Sequence, residues 1–546
     1  MRSRWSKPNE KSSEESFSAV AIEKENNTLP TFQRKLFSFL LLFRILNAWL
    51  VRTWFVPDEY WQGPEVAHRL AFGYGYLTWE WKQGLRGYTL PLVYSIAYKV
   101  LYILGLDSAE VVIFIPNVIQ AVLAAVGDLY LYKLAIKLFG PQAAKWALLC
   151  NLSSWFTFYC VTRTLSNSWE TVLTTIALYY WPLELLQTTK VKDIDQSSNI
   201  SISLIVAAFA CIIRPTSAIL WLPLSTLHII RTERKLYFIL LQALPVGLLA
   251  LCWSLVIDSF FYGHWMVVQL NFLLFNVVKD LGTFYGSHPW HWYFTQGFPA
   301  IIFTHLPLFL CGVYKSSQRI LAALVMWVLM VYSFLGHKEF RFIFPVLPIC
   351  MCYAGNYLVY LNSSFKSGTK SPSKKHTLPR KITIATIVFG LVCASNAPIA
   401  LYTSLIHQRG VLDMMGYLRQ EANVQHKPIT VMFLMPCHST PFYSHIHKNI
   451  SMRFLECPPN DNPDYIDEAD RFYRDPMKWL DGYLATEHIT LPTHIVHFSV
   501  LTQKIKPYLG TNGYSKCAEF FHTHIPEGRI GGSVHVHCIK TNSTRH

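Results

Sequence analysis

One short run, Gly336-His337-Lys338-Glu339-Phe340-Arg341-Phe342, sets a histidine, a lysine, a glutamate and an arginine between two apolar stretches, 320–335 and 342–361. A full charge at the centre of a bilayer costs roughly 2.5–3.5 kcal/mol on insertion scales. The run therefore belongs at a membrane–water boundary, or in a wet cavity cut into one. A second chemical candidate is Pro57-Asp58-Glu59-Tyr60-Trp61-Gln62, followed by Tyr74-Gly75-Tyr76-Leu77-Thr78-Trp79-Glu80-Trp81. Adjacent carboxylates can supply a general base, because each raises the pKa of the other. The plainer reading of such a pair is a turn and helix cap after Pro57. The tyrosines and tryptophans of this loop, 57–90, join an apolar body to a polar tip, which suits both the headgroup zone and the C–H face of a sugar. The loop 259–294 repeats that composition in Tyr285-Gly286-Ser287-His288-Pro289-Trp290.

The elements that position these residues are membrane helices. Only 15% of the 546 residues are charged and 52% are hydrophobic, whereas a soluble domain carries about 25% charge. Mean hydropathy is +0.25. Apolar runs long enough to cross about 30 Å of hydrocarbon recur from 36 to 403, which implies a polytopic membrane protein of about ten to twelve spans. The net charge of +15 is explained by basic loops facing anionic headgroups. No nucleic-acid motif and no internal repeat is present. Residues 1–35 are polar and lack the apolar core of a cleavable signal, so they read as a disordered cytoplasmic tail. The run 36–56 then forms the first span. Arg163 and Arg214 stand isolated in apolar surroundings, where an arginine either serves function or snorkels to the interface.

Lysine and arginine cluster in the tail, at Lys190 and Lys192, at Arg231, Arg234 and Lys235, at Lys315 and Arg319, and from Lys366 to Lys381. By the positive-inside rule these face the cytoplasm. The loops 57–90, 259–294 and 336–342, and everything beyond 404, then share the opposite side.

Residues 404–546 lose hydropathy and show strand-like runs at 429–435, 494–500 and 534–539, with a helix-compatible stretch at 464–473. A small α/β domain is expected. Its cysteines, Cys437, Cys457, Cys517 and Cys538, could form two disulfides in three pairings. The sequons at Asn449 and Asn542 lie on the glycosylation-competent side; those at Asn26, Asn199 and Asn362 do not. His438, His445 and His447 read as a histidine-rich loop, and no metal site is expected.

The motifs resemble those of the membrane mannosyltransferases of glycosyltransferase family 22, which have the GT-C fold. The likeness rests on His337 to Phe342 followed by Pro345, and on Pro57-Asp58-Glu59. It narrows to the branch that builds the glycosylphosphatidylinositol (GPI) anchor through residues 57–62, 72–81, Gly282 to Trp290, Pro436-Cys437-His438-Ser439-Thr440-Pro441 and Phe521 to Ile530. The resemblance implies an enzyme of the endoplasmic reticulum that moves mannose from dolichyl-phosphate-mannose, with inversion, onto a mannosylated GPI lipid. It would add the third mannose in α1,2 linkage and need no cofactor. On that footing Asp58 is the expected base, with Glu59 as alternative or tuning neighbour. His337, Lys338 and Arg341 are expected to grip the donor phosphate, with Glu339 orienting Lys338 or Arg341. Trp61, Tyr76, Trp79, Trp81, Tyr285, His288 and Trp290 are candidates for packing the acceptor sugars. Competing readings are a family member acting on the N-glycan lipid precursor or adding a fourth GPI mannose, a polytopic lipid transporter or scramblase, and a catalytically silent scaffold.

Overall fold

A computed structural model describes the backbone of residues 11–183, 197–367, 383–424, 429–460, 462, 464–486 and 491–539. Lys190, Lys192, most of the basic run 366–381, Asn26 (its side chain) and Asn542 lie outside the described positions. Helix α1 (Lys11–Leu50) begins upstream of the expected first span at 36, and the side chains of 11–30 are likewise outside the description.

The loop 57–90 carries three short helices, α2 (Asp58–Trp61), α3 (Pro64–Phe72) and α4 (Trp79–Lys82), and leads into α5 (Thr89–Ile103). Helix α6 (Ala109–Ser153) follows, then α7 (Trp155–Cys160) and α8 (Ser166–Tyr180). Among the described residues, five helical stretches are long and apolar enough to cross a membrane: Ala109–Ser153, Lys235–Tyr262, Tyr293–Lys315, Phe340–Ser363 and Ile384–Val424. Shorter apolar helices cover Thr89–Ile103, Asn199–Ile213, Val268–Val278 and Ile320–Phe334. Helix α6 breaks at Gly140, whose φ of 84° only glycine adopts without penalty, and Pro141 restarts the next turn where its missing N–H costs nothing.

Helix Leu347–Ser367 packs on α6 so closely that a Cβ on Gly355 would lie 2.4 Å from the Ala147 nitrogen. Small residues at such a seam let two backbones approach, which is how helices gain contact where lipid offers no hydrophobic drive. Helix α1 is tied to α6 by a buried pair, with Arg44 Nε and Nη2 donating to the two oxygens of Asp128 at 2.6 and 2.9 Å. Asn151 donates to the same carboxylate at 2.9 Å.

The C-terminal domain holds a five-stranded sheet: β1 (Thr430–Leu434), β2 (Ser451–Phe454), β3 (His494–Phe498), β4 (Tyr514–Phe521) and β5 (Ser533–Ile539), in the order β2-β1-β3-β5-β4. The β1 pairings to β2 and β3 are parallel, and β5 runs antiparallel to β3 and β4. Three of these strands match the expected runs. The edge strands β2 and β4 escaped sequence reading because their half-exposed faces carry mixed polar residues. The helix expected over 464–473 lies at Glu468–Arg474. The cysteines pair as Cys437–Cys457 and Cys517–Cys538, one of the three possible arrangements. Asn449 is exposed, Asn199 sits exposed on helix Ser197–Ile213, and Asn362 is half-buried on helix Leu347–Ser367.

The domain shares a core with the first loop. Trp54, Tyr60 and Trp61 pack with Val411, Met414, Phe433, Phe442 and Val496. Glu65 of α3 accepts hydrogen bonds from Phe442 N at 2.6 Å and Ser444 Oγ at 2.5 Å. Burial pushes its carboxyl up to about 7 even though these donors work in the other direction.

Candidate active site

The two charged motifs meet. Arg341 donates from Nε and Nη2 to the Glu339 carboxylate at 2.7 and 2.6 Å, and from Nη1 to Asp58 Oδ2 at 2.5 Å. One guanidinium fork thus spans 283 residues of sequence, and its planar donors suit a pair of carboxylates. His337 Nε2 lies 3.1 Å from Glu339 Oε1, and its Nδ1 lies 3.0 Å from Gly286 O. Glu339 therefore orients Arg341 and His337, and not Lys338.

The motif is held in place by the loop 259–294. Tyr293 donates its hydroxyl to Glu339 O at 3.0 Å, and His288 N donates to Gly336 O at 3.1 Å. Gly336 has to be bare, because a Cβ there would lie 2.4 Å from Thr283 Cγ2. Lys338 is buried; its ammonium donates to the carbonyls of His288, at 2.9 Å, and Leu335. Its place is a clip between backbone segments.

The two neighbouring carboxylates of α2 have opposite surroundings. Asp58 is 20% exposed. Burial raises its pKa, but Arg341 and Arg86 outweigh that and hold it below the ordinary aspartate value of 3.8. Glu59 is only 3% exposed. Its carboxylate takes Arg163 Nη1 at 2.8 Å, yet burial still leaves its pKa raised. Arg163 also donates to Tyr159 O, Thr53 O and Thr53 Oγ1 at 2.6–2.8 Å. It is a buried clamp that fixes α2, so the snorkelling reading fails for it. Arg214 is buried as well, paired with Glu170 at 3.2 Å and lying over the Phe342 ring at 5.0 Å. Phe342 in turn receives Arg341 at 5.4 Å.

Arg86 is the site residue that sequence reading missed. It donates to Glu80 at 2.6 and 3.2 Å and lies 4.0 Å from Asp58. Its signal was present: it is a guanidinium six positions after Glu80 in the aromatic loop already singled out. Only the fold shows that Arg86 lies beside Asp58.

The aromatic candidates divide. Trp79 stacks on Tyr285 with centroids 5.9 Å apart, and Tyr285 donates to Cys457 O at 3.0 Å. Tyr76 donates to Glu456. His288 stacks on Trp292, and Trp290 is 68% exposed. Trp61 and Trp81, by contrast, are 3% and 1% exposed. Trp61 donates to Thr440 O at 3.0 Å and Trp81 to Trp61 O at 3.1 Å. These two are core, and a buried face packs no sugar; Trp61 welds the loop to the C-terminal domain, while Trp81 packs with Val66 and Tyr88 in the loop's own core. Among the described residues, Cys437, His438 and Cys457 lie within metal-binding reach of one another, but the disulfide consumes both thiols.

The pattern of the Alg9-like mannosyltransferase family matches residues 35–447. The chain is 48% identical over 505 residues to GPI alpha-1,2-mannosyltransferase 3 of Mus musculus, covering 91% of this chain and 88% of that protein. It is 37% identical over 515 residues to GPI mannosyltransferase 3 of Yarrowia lipolytica, covering 91% and 95%. Among solved structures, ArnT from Cupriavidus metallidurans bound to undecaprenyl phosphate aligns with a TM-score of 0.57 at 12% identity, over 94% of this chain and 98% of that one. At that identity the likeness speaks for the fold.

Proposed function

The chain belongs to the Alg9-like mannosyltransferase family, and from that premise we propose that it adds the third mannose, α1,2-linked, to a two-mannose GPI lipid, with dolichyl-phosphate-mannose as donor. It is a multi-pass membrane enzyme of the GT-C type and a GPI mannosyltransferase. The observation that carries the donor chemistry is the Arg341 bridge between Glu339 and Asp58. It sets a cationic cluster, with Arg86 and His337 nearby, directly beside an ionised carboxylate.

The donor sugar is β-linked to phosphate and the product is α-linked, so the acceptor hydroxyl attacks the anomeric carbon from the face opposite the phosphate. As the new C–O bond forms, the bond to the phosphate oxygen breaks and its electron pair leaves with the lipid phosphate. Asp58 takes the hydroxyl proton. Arg341, Arg86 and His337 hold the departing phosphate charge. Asp58 suits the base role better than Glu59, because it is ionised and reachable while Glu59 is locked to Arg163. Lys338 fixes the 288 loop against the motif. Trp79 and Tyr285 are placed to pack acceptor sugars.

A polyprenyl chain does not leave the bilayer, so donor phosphate and cation cluster meet at a membrane interface. The endoplasmic-reticulum lumen is the side this reading assigns, supported by the positive-inside pattern and by the packing of loops 57–90, 259–294 and 336–342 with the C-terminal domain at one end. The test is the lipid intermediate that builds up in cells lacking the chain. Two-mannose GPI cleared by the wild type and not by Asp58→Asn supports substrate and base together. Normal GPI with shortened N-glycan precursors moves the acceptor to the other branch of the family.

A further inference from the structure

A cavity of about 990 Å³ lies beside the catalytic turn, between the end of α1, the first half of α6 and helix Gly410–Val424 of the C-terminal domain. One wall is apolar, formed by Trp49, Val111, Phe114 and Val118, of which Trp49 and Val111 are exposed. Its polar wall brings together Arg52, at the end of α1, with Arg409 and Arg419, at and on helix Gly410–Val424. Its inner end is Glu59, Tyr60 and Thr164, so the cavity reaches α2 on the Glu59 side, one residue from Asp58.

We infer that this cavity holds the phosphoinositol headgroup of the acceptor glycolipid, with its acyl chains leaving past Trp49 and Val111. The inference rests on the GPI reading above. Charge supports it. Arg409 is balanced by Asp413 at 2.8 Å and Arg419 by Glu110 at 3.3 Å. Arg52 has no carboxylate partner among the described ion pairs; its guanidinium lies over the Trp49 ring at 4.4 Å and its Nε donates to Trp49 O. Glu59 is already neutralised by Arg163. One guanidinium charge is therefore left over on this wall, which matches the single charge of a phosphodiester. Guanidinium forks are the donors that recognise phosphate best.

The donor lipid does not fit here. Its phosphate is bonded directly to the reacting sugar, so it has to lie at the Asp58–Arg341 centre. A GPI acceptor carries several sugar units between its phosphate and the reacting hydroxyl, and therefore needs a phosphate site set apart from the base and linked to it. A cavity that carries arginines and ends at Glu59 and Tyr60, next in the chain to Asp58, supplies a phosphate site set apart from the base. It also gives the C-terminal domain a task, since Arg409 and Arg419 come from it.

The test uses the full chain in lipid nanodiscs, with dolichyl-phosphate-mannose and two acceptors: a two-mannose GPI with its phosphatidylinositol, and the same glycan lacking the phosphoinositol lipid. Arg52→Gln and Arg419→Gln are each expected to raise the KM for the intact acceptor about tenfold, the loss of one charge-assisted contact. The donor KM should hold, and the truncated acceptor should be used equally by wild type and variants. Arg52→Gln removes an exposed side chain and so separates binding from folding. An unchanged acceptor KM in Arg52→Gln, a matching rise in donor KM, or equal impairment on the truncated glycan overturns the site. Wild-type protein that leaves a two-mannose GPI untouched overturns the acceptor assignment and this site with it.

Discussion

Asp58 and Glu59 are adjacent, and substituting each by its amide separates chemistry from architecture. Asp58→Asn keeps size and one acceptor oxygen for Arg341, whose Nη1 is 2.5 Å away, but it removes the group that takes the proton. General bases contribute about 10²–10⁴ in rate, so kcat should fall by about that range while donor KM moves little. The lost ion pair involves a carboxylate 20% exposed. Its stability cost therefore sits nearer the exposed-pair value than the buried one, about 1–2 kcal/mol. Glu59→Gln does the reverse. It leaves Arg163, 1% exposed, without its counter-charge, and breaking such a pair costs about 3–5 kcal/mol. Against a total stability of about 5–15 kcal/mol, that appears as poor yield and a lowered Tm. The pH profile gives an independent reading. A base works deprotonated, so activity rises with pH through its pKa. Held below 3.8, Asp58 is ionised throughout the usable range and imposes no acid limb from about pH 5 upward. Burial raises the Glu59 pKa, so a limb set by Glu59 would lie at higher pH than one set by Asp58. The assay is mannose transfer from labelled dolichyl-phosphate-mannose by purified protein, beside thermal unfolding of each variant. Asp58→Asn with kcat within a few-fold of wild type refutes the assignment. So does Glu59→Gln that unfolds like wild type yet has lost a hundredfold in kcat.

For His337, burial opposes the charge, but the hydrogen bond and charge of Glu339 overcome it and raise the pKa above 6.5. Its pairing is full below 6.5 and is lost as pH rises through the raised value, so activity should show an alkaline limb above 6.5 that His337→Gln removes from the pH–rate profile. Arg44→Met strands Asp128 and should cost about 3–5 kcal/mol of stability, read as a fall in Tm. Adding Asp128→Leu should recover most of it, as expected when a buried pair is replaced by packing. Cys437→Ser opens a loop closed over 20 residues and should cost the C-terminal domain about 3 kcal/mol, seen as faster limited proteolysis. Mass mapping without reduction should return Cys437 with Cys457 and Cys517 with Cys538. If the C-terminal domain is lumenal, Asn449→Gln abolishes one glycosidase-sensitive gel shift, whereas Asn199→Gln changes nothing.

The membrane character, the common side of the three loops and the C-terminal domain, and the two charged motifs were all legible in the sequence. Each is a local property: a charge inside an apolar run or a basic loop carries its meaning without reference to distant residues. Strands β1, β3 and β5 were legible for the same reason, since short runs rich in valine, isoleucine and phenylalanine mark strands. Partnership was not legible. Arg341 meets Asp58 across 283 residues and Arg163 meets Glu59 across 104, and no residue type names its partner over such a gap. Arg86 carried the right charge in the right loop, yet only packing turns it toward Asp58. The same limit explains Trp61 and Trp81, because a tryptophan that packs a sugar and one buried in a core have the same kind of neighbours in sequence. Which faces meet is decided by the joint burial of elements far apart in the chain, and that burial also selects the disulfide pairing, sets the Lys338 ammonium on backbone carbonyls, and separates two adjacent carboxylates into one partly exposed beside Arg341 and one buried against Arg163.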